Sequence, residues 1–248
     1  MPATPAWPPK SAPRLFVAET LAAGAAVRIE GNPAHYLARV MRVAPGDFVI
    51  LCDDVTGEWA ARVTDAGKRD VVLEVAEMLR PREAVPDLWL CPALLKKDRF
   101  DLILEKATEL GAARIQPLVT RRCVADKLNL ERARAITTEA AEQCARTALP
   151  ELAEPVKLDA LLAGWPESRA LFFADENGGE PAAAAFAAHK GSPAAILTGP
   201  EGGFDEAERA AIRAHPAARP VTLGPRILRG ETAAIAALAA WMATAGDW

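Results

Sequence analysis

Cysteine is scarce in this sequence: four residues, at 52, 91, 123 and 144, among 248. Their spacing fits neither a zinc site nor a small disulfide scaffold. Scattered free thiols point to a reducing, cytoplasmic compartment, and no metal-binding cluster is visible. An excess of positive charge is also missing. The net charge is −4, so the total does not announce the basic face that usually marks a nucleic-acid binder. Long apolar runs are absent as well. The longest, Thr232 to Ala245, is too short and too rich in alanine to cross a bilayer. Residues 1–13 hold five prolines and no apolar stretch of the kind a signal peptide needs. Two phosphate-binding signatures are lacking too: no Gly-x-Gly-x-x-Gly follows an early strand, and no Gly-x-x-x-x-Gly-Lys occurs.

What is present suffices for a core, with 51% apolar residues, and the length suits one large domain or two modest ones. Residues 1–13 read as a flexible tail. Residues 14–79 carry short strand patterns (Arg14–Val17, Ala26–Ile29, Asp47–Cys52, Trp59–Val63, Val71–Val75) separated by turn residues, as in a small barrel or sandwich. One segment, His35–Arg42, has helical spacing and places Arg39 and Arg42 on one side. A polar, proline-bearing connector follows, and residues 80–248 form the second domain. There the period changes to strand (88–95), helix (98–110) and strand (113–119), which implies a parallel crossover. A helix over 130–147 and a short one over 155–165 follow. Cys144 reads as a packed thiol, because no histidine partner is suggested nearby.

Near the C-terminus two similar units stand out, Leu197-Thr-Gly-Pro-Glu-Gly-Gly-Phe204 and Leu223-Gly-Pro-Arg-Ile-Leu-Arg-Gly-Glu-Thr-Ala233. Each joins a buried strand to a helix through a glycine loop; Asp205 and Glu208 have the spacing of a capping box. Glycine lets a backbone approach a ligand and present its N–H and C=O groups. Two such loops from one sheet can wrap a small molecule at the carboxyl ends of the strands.

These two units resemble the signature motifs of the RsmE family, SPOUT-class methyltransferases that act on N3 of a uridine in 16S ribosomal RNA. The resemblance extends to the His35–Arg42 helix, to Lys106, Glu109, Gly111 and Pro117, and to Glu142–Arg146, and spans about Arg14 to Trp241. It implies a PUA-like β-barrel RNA-binding domain followed by an α/β domain with a parallel sheet and a C-terminal trefoil knot. It implies S-adenosyl-L-methionine as cofactor, held by Leu197, Thr198, Gly199, Glu201, Gly202, Gly203, Leu223, Gly224, Arg226, Ile227, Leu228 and Thr232. Arg226 is expected to pair with Glu201 across the loops. Arg229 is the first candidate for stabilising the developing uracil anion; Glu231 is either a catalytic base or a structural helix opener. Arg39, Arg42, Lys96, Lys97, Arg121, Arg122 and Arg146 are expected to meet RNA. The partners implied are 16S ribosomal RNA or the small subunit and a second copy in a homodimer, with neither membrane nor metal. A tRNA-directed relative or a non-catalytic RNA-binding module are the alternatives.

Overall fold

The computed structural model describes residues 12–248, so most of the expected N-terminal tail lies outside the described residues. The chain forms two compact units. One comprises the described residues to Ala84 together with Ala141–Ala148; the other comprises Val85–Ala140 and Leu149–Trp248.

The first unit is a five-stranded sheet of β1 (Arg14–Phe16), β2 (Ala26–Glu30), β3 (Phe48–Cys52), β4 (Gly57–Ala66) and β5 (Asp70–Pro81), in the order β1-β3-β4-β5-β2. Only β1 and β3 run parallel. Strict alternation buries Val27 and Ile29 of β2 and Val71, Leu73 and Val75 of β5, which meet Leu37, Val49, Leu51, Ala61 and Val63 in one core. The expected helix is present, but it starts earlier and changes type. Helix α1 (Gly31–His35) continues as a wide π-type segment, Tyr36–Met41, which ends at Arg42 in the left-handed region at φ 55°. The residues 141–148 join this unit through hydrogen bonds. Phe16 N donates to Glu142 at 2.8 Å, and Thr147 N and Ala148 N donate to the Glu83 carboxylate at 2.6 and 3.1 Å.

The second unit is built on seven parallel strands: β6 (Leu88–Pro92), β7 (Arg114–Ile115), β9 (Glu151–Leu152), β11 (Ala170–Ala174), β12 (Glu180–Pro181), β13 (Ala194–Thr198) and β14 (Ala218–Thr222). Their order is β12-β14-β11-β13-β6-β7-β9, and every pairing is parallel. The strand expected over 113–119 is broken, because Pro117 has no N–H to give to a ladder. Its second half, β8 (Leu118–Val119), pairs instead with β10 (Val156–Lys157) in a separate two-stranded sheet. Consequently the expected helix over 155–165 shortens to α4 (Leu158–Ala163).

The remaining helices are α2 (Lys97–Glu109), α3 (Leu130–Cys144), α5 (Ala182–Ala187), α6 (Glu206–Ala214) and α7 (Gly230–Thr244). Helix α7 packs on α2 and α5 and against β6 and β13. Its Trp241 lies 5.5 Å from Phe172 of β11 and 5.2 Å from Phe186 of α5, ring centre to ring centre. These aromatic contacts, with Leu238 and Met242, cover one face of the sheet.

Candidate functional site

β11 lies between β13 and β14. Because the three strands are parallel, the loops leaving their carboxyl ends emerge along one edge. Those loops enclose a hollow of about 200 Å³. The first contributes Thr198, Gly199, Pro200 and Gly203; the second contributes Thr222 to Leu228, with Gly230 and Ala233; the middle strand adds Ala174, Asp175 and Glu176.

The lining depends on missing side chains. A Cβ on Gly230 would stand 3.1 Å from the Gly199 carbonyl and 3.0 Å from Leu95, so the start of α7 is pressed against the first loop. Gly203 and Gly224 have φ of +66° and +109°, conformations costly to any residue with a Cβ. The first loop is held by the expected capping box: Glu208 N donates to Asp205 at 2.7 Å, and Asp205 N to Glu208 at 3.2 Å.

The expected residues do not all reach this hollow. Thr198, Gly199, Gly203, Leu223, Gly224, Arg226, Ile227 and Leu228 line it. Leu197 is wholly buried in the core beneath. Glu201, Gly202 and Thr232 lie outside the lining. The Arg226–Glu201 pair does not form. Glu201 accepts instead from the backbone N–H of Lys96 at 3.2 Å, where the positive end of α2 attracts a carboxylate. Arg226 is exposed and makes no ion pair among the described residues. Gly202 gives its carbonyl to the Arg122 guanidinium at 2.9 Å.

Arg229 opens α7 from an extended backbone, its side chain exposed and free of ion pairs among the described residues. Leu228 and Gly230 on either side of it both line the hollow. Glu231 is buried; its Oε2 lies 3.9 Å from Arg99 Nη1 and has no hydrogen-bond partner among the described residues.

The middle loop carries a clamp that the sequence reading missed. Asp175, its side chain fully buried, accepts from Arg209 Nη1 at 2.5 Å, Arg213 Nε at 2.8 Å and Asn177 N at 3.0 Å. Arg209 also holds Glu176, and Arg213 holds the Gly178 carbonyl at 3.0 Å. Two arginines one turn apart on α6 thus fix this loop at Asp175, Glu176 and Gly178. The i, i+4 spacing was the available signal; their target was not readable without the strand order.

The basic residues separate by unit. Lys96 and Lys97 are exposed at the start of α2. Arg121 pairs with Asp205 at 2.8 Å and donates its backbone N–H to Glu208 at 2.8 Å, beside Arg122. In the first unit Arg39 and Arg42 are exposed on the π-type segment. Arg146 departs from expectation. Helix α3 stops at Cys144, Ala145 takes a left-handed φ of 62°, and the i, i+3 face shared with Gln143 never forms. Arg146 is 5% exposed, and burial pulls its pKa down.

An all-parallel sheet carrying a main-chain hollow on its carboxyl edge matches one class of protein. The family model described as an RNA methyltransferase domain covers residues 81–242, and that of an RNA methyltransferase PUA domain covers residues 29–76. The ribosomal RNA small subunit methyltransferase E of Synechocystis sp. is 35% identical over 233 residues, covering 91% of this chain and 76% of the relative. That of Bacillus subtilis is 32% identical, covering 86% and 88%. The chain belongs to the ribosomal RNA small subunit methyltransferase E family. Among solved structures, the Neisseria gonorrhoeae member bound to S-adenosyl methionine superposes with a TM-score of 0.86 at 30% identity, covering 96% of this chain and 99% of that one. A putative methyltransferase of Legionella pneumophila, also with S-adenosylmethionine, gives 0.85 at 28% identity, covering 96% and 99%.

Proposed function

We propose that this protein methylates N3 of a uridine in 16S ribosomal RNA, using S-adenosyl-L-methionine. The observation that carries the reading is the convergence of three loops from adjacent parallel strands on one hollow lined largely by backbone. The lining suits that cofactor: glycine-spaced N–H and C=O groups match the hydrogen-bonding edge of an adenine, and Glu176 offers a carboxylate.

When bound, S-adenosyl-L-methionine supplies a methyl group on a sulfonium. The residues that would hold it are Thr198, Gly199, Pro200 and Gly203 of the first loop and Leu223 to Leu228 of the second. Their stiffness matters because displacement in line with the leaving sulfur depends on orientation. Uracil N3 becomes nucleophilic only as its proton leaves, which builds negative charge on O2 and O4. Arg229, unpaired and placed between two lining residues, is the group we assign to that charge. Glu231 fits a bracing role: it is buried, faces Arg99 of α2, and gains from the helix dipole.

N3 lies on the pairing edge, so the base must leave its helix before it can react. Lys96, Lys97, Arg121 and Arg122 of the second unit would hold phosphates of the RNA, and Arg39 and Arg42 are the cations that the first unit offers to RNA on its own. We divide the roles at residue 79: residues 14–79, closing as a small barrel, dock RNA, and residues 80–248 transfer the methyl group. Two finer points belong to the same proposal. The C-terminal segment forms a trefoil knot; after β14 the chain returns past β11 to seat α7 on β13 and β6, with Gly230 tight against Gly199. Two copies pair through α7, whose Thr232 and Ala243 are exposed.

Mass analysis of 16S ribosomal RNA from a strain lacking the protein tests the reading. The N3-methyl group should vanish and return on complementation; its persistence would reject the assignment.

A further inference from the structure

A second hollow in the methyltransferase unit has no part in the mechanism above. It measures about 400 Å³ and lies between α4 and α6, floored by Val119 and Thr120 at the end of β8. Its walls are two helical pairs with i, i+4 spacing: Leu158 and Leu162 on α4, and Ala207 and Ala211 on α6. One wall is branched and apolar, and the other is kept low by alanine. The gap between them is an open slot whose α4 side is formed chiefly by Leu162, since Leu158 is 4% exposed and packs into the core.

The rim is polar and carries charge of both signs. Arg121 leaves 68% of its side chain exposed while resting on Asp205. Lys157 and Asp159 are exposed and make no ion pair among the described residues; Asp159 Oδ1 takes the Ala160 N–H at 2.8 Å, and its Oδ2 is the oxygen left to accept. Glu208 is spoken for, since it takes the Arg121 N–H at 2.8 Å and the Asp205 N–H at 3.2 Å. The rim therefore presents two cations suited to phosphate and one carboxylate that can only accept. An accepting carboxylate beside an apolar slot favours an exocyclic amino group, as on adenine, cytosine or guanine, over the uracil edge, whose single N3–H is flanked by two carbonyl oxygens that a carboxylate repels.

The slot shares supporting elements with the first site. Arg122, next to Arg121, holds the Gly202 carbonyl of the loop whose other residues line the cofactor hollow. Helix α6 borders the slot with Ala207 and Ala211, and clamps the Asp175–Gly178 loop with Arg209 and Arg213.

We propose that this slot receives a second, unpaired nucleotide of the substrate RNA, one bearing an amino group. Its base lies between Leu158/Leu162 and Ala207/Ala211, its exocyclic N–H donates to Asp159, and its phosphates lie against Arg121 and Lys157. The proposal rests on the RNA methyltransferase reading and adds a specificity-determining subsite to it. Everting one base leaves its neighbours unstacked, and an apolar slot of this kind takes one of them out of water again.

Ala211→Trp, at an exposed helix position, fills the slot, and Asp159→Asn adds donors to its acceptor. Both are compared with the wild type using S-adenosyl-L-methionine titration, thermal melting, and methyl transfer to 16S ribosomal RNA fragments. Ala211→Trp should keep the melting point and cofactor affinity, yet raise the KM for RNA about tenfold or more. Unchanged KM in a folded, cofactor-binding variant overturns the proposal. Methyl NMR of Leu158 and Leu162 during titration with AMP, CMP and UMP supplies a readout independent of catalysis. AMP and CMP should shift these signals more than UMP does, and Asp159→Asn should narrow the difference. Equal shifts for all three, or none, overturn the base preference. Shifts with mononucleotides alongside an RNA KM indifferent to Ala211→Trp would make the slot a free-nucleotide site and overturn the RNA assignment. A wild type that binds AMP here but methylates no RNA would sink the functional reading instead.

Discussion

Arg229 is the residue on which the chemistry most depends in this reading. Its backbone shapes the second loop and its side chain stands free, so truncation should separate holding from reacting. Arg229→Ala is expected to cut methyl transfer by roughly 10²-fold or more, with the affinity for S-adenosyl-L-methionine nearly unchanged in a calorimetric titration. Equal losses would turn it into a cofactor clamp. Asp53 in the first unit offers a prediction of another kind. It is 5% exposed. Burial pushes its carboxyl up, but donors at Leu21 N, Thr56 Oγ1, Gly57 N and Val55 N outweigh that and bring it to about 2. A carboxyl held lower in the folded state than in the unfolded one stabilises fully above the unfolded value, near 3.9. That contribution, roughly 1–2 kcal/mol, is lost as pH falls from about 4 towards 2. Asp53→Asn should flatten the stability profile in this window; an unchanged slope measured by denaturant unfolding would refute the assignment.

At the level of elements, the middle loop has no room for a methyl group at Gly179. A Cβ on Gly179 would fall 2.3 Å from the Pro220 carbonyl of β14, which is backbone and has no room to yield. Gly179→Ala should therefore lower the melting temperature and weaken cofactor binding together. Gly191→Ala, where φ is +78° but nothing lies within 4 Å, should cost only about 1 kcal/mol and leave binding intact. Whatever depends on neighbours in sequence was legible beforehand. The capping box at Asp205 and Glu208, the core alternation of β5, and the two glycine loops all follow from spacing alone. What depends on strand order was not. Nothing in the sequence says that β11 inserts between β13 and β14, so the hold of Arg209 and Arg213 on Asp175 and Glu176 stayed hidden. The Glu201–Arg226 pair failed for a related reason: a helix start 105 residues away supplied the nearer positive end. Arg146 was misread because the helical period was carried past Cys144, where the backbone reverses hand.

Across the whole molecule, a net charge of −4 means that RNA must be gripped by local groups rather than by a general field. Binding should then lose affinity linearly with the logarithm of salt. For single-stranded contacts, removing Arg121 and Arg122 together should reduce that slope by about 0.7 per phosphate released. A slope that does not change in a filter-binding series would place the RNA elsewhere. The seven parallel strands carry a further consequence. No neighbour in such a sheet can be joined by a hairpin; each must wait for a crossover segment to be made. Helix α7, whose Leu238, Trp241 and Met242 complete the core, follows every strand of the sheet in chain order. During synthesis the sheet stays open on one side until that helix has emerged. Nascent chains stalled before residue 230 should therefore be protease-sensitive and chaperone-bound, and should become resistant only once α7 is available to pack.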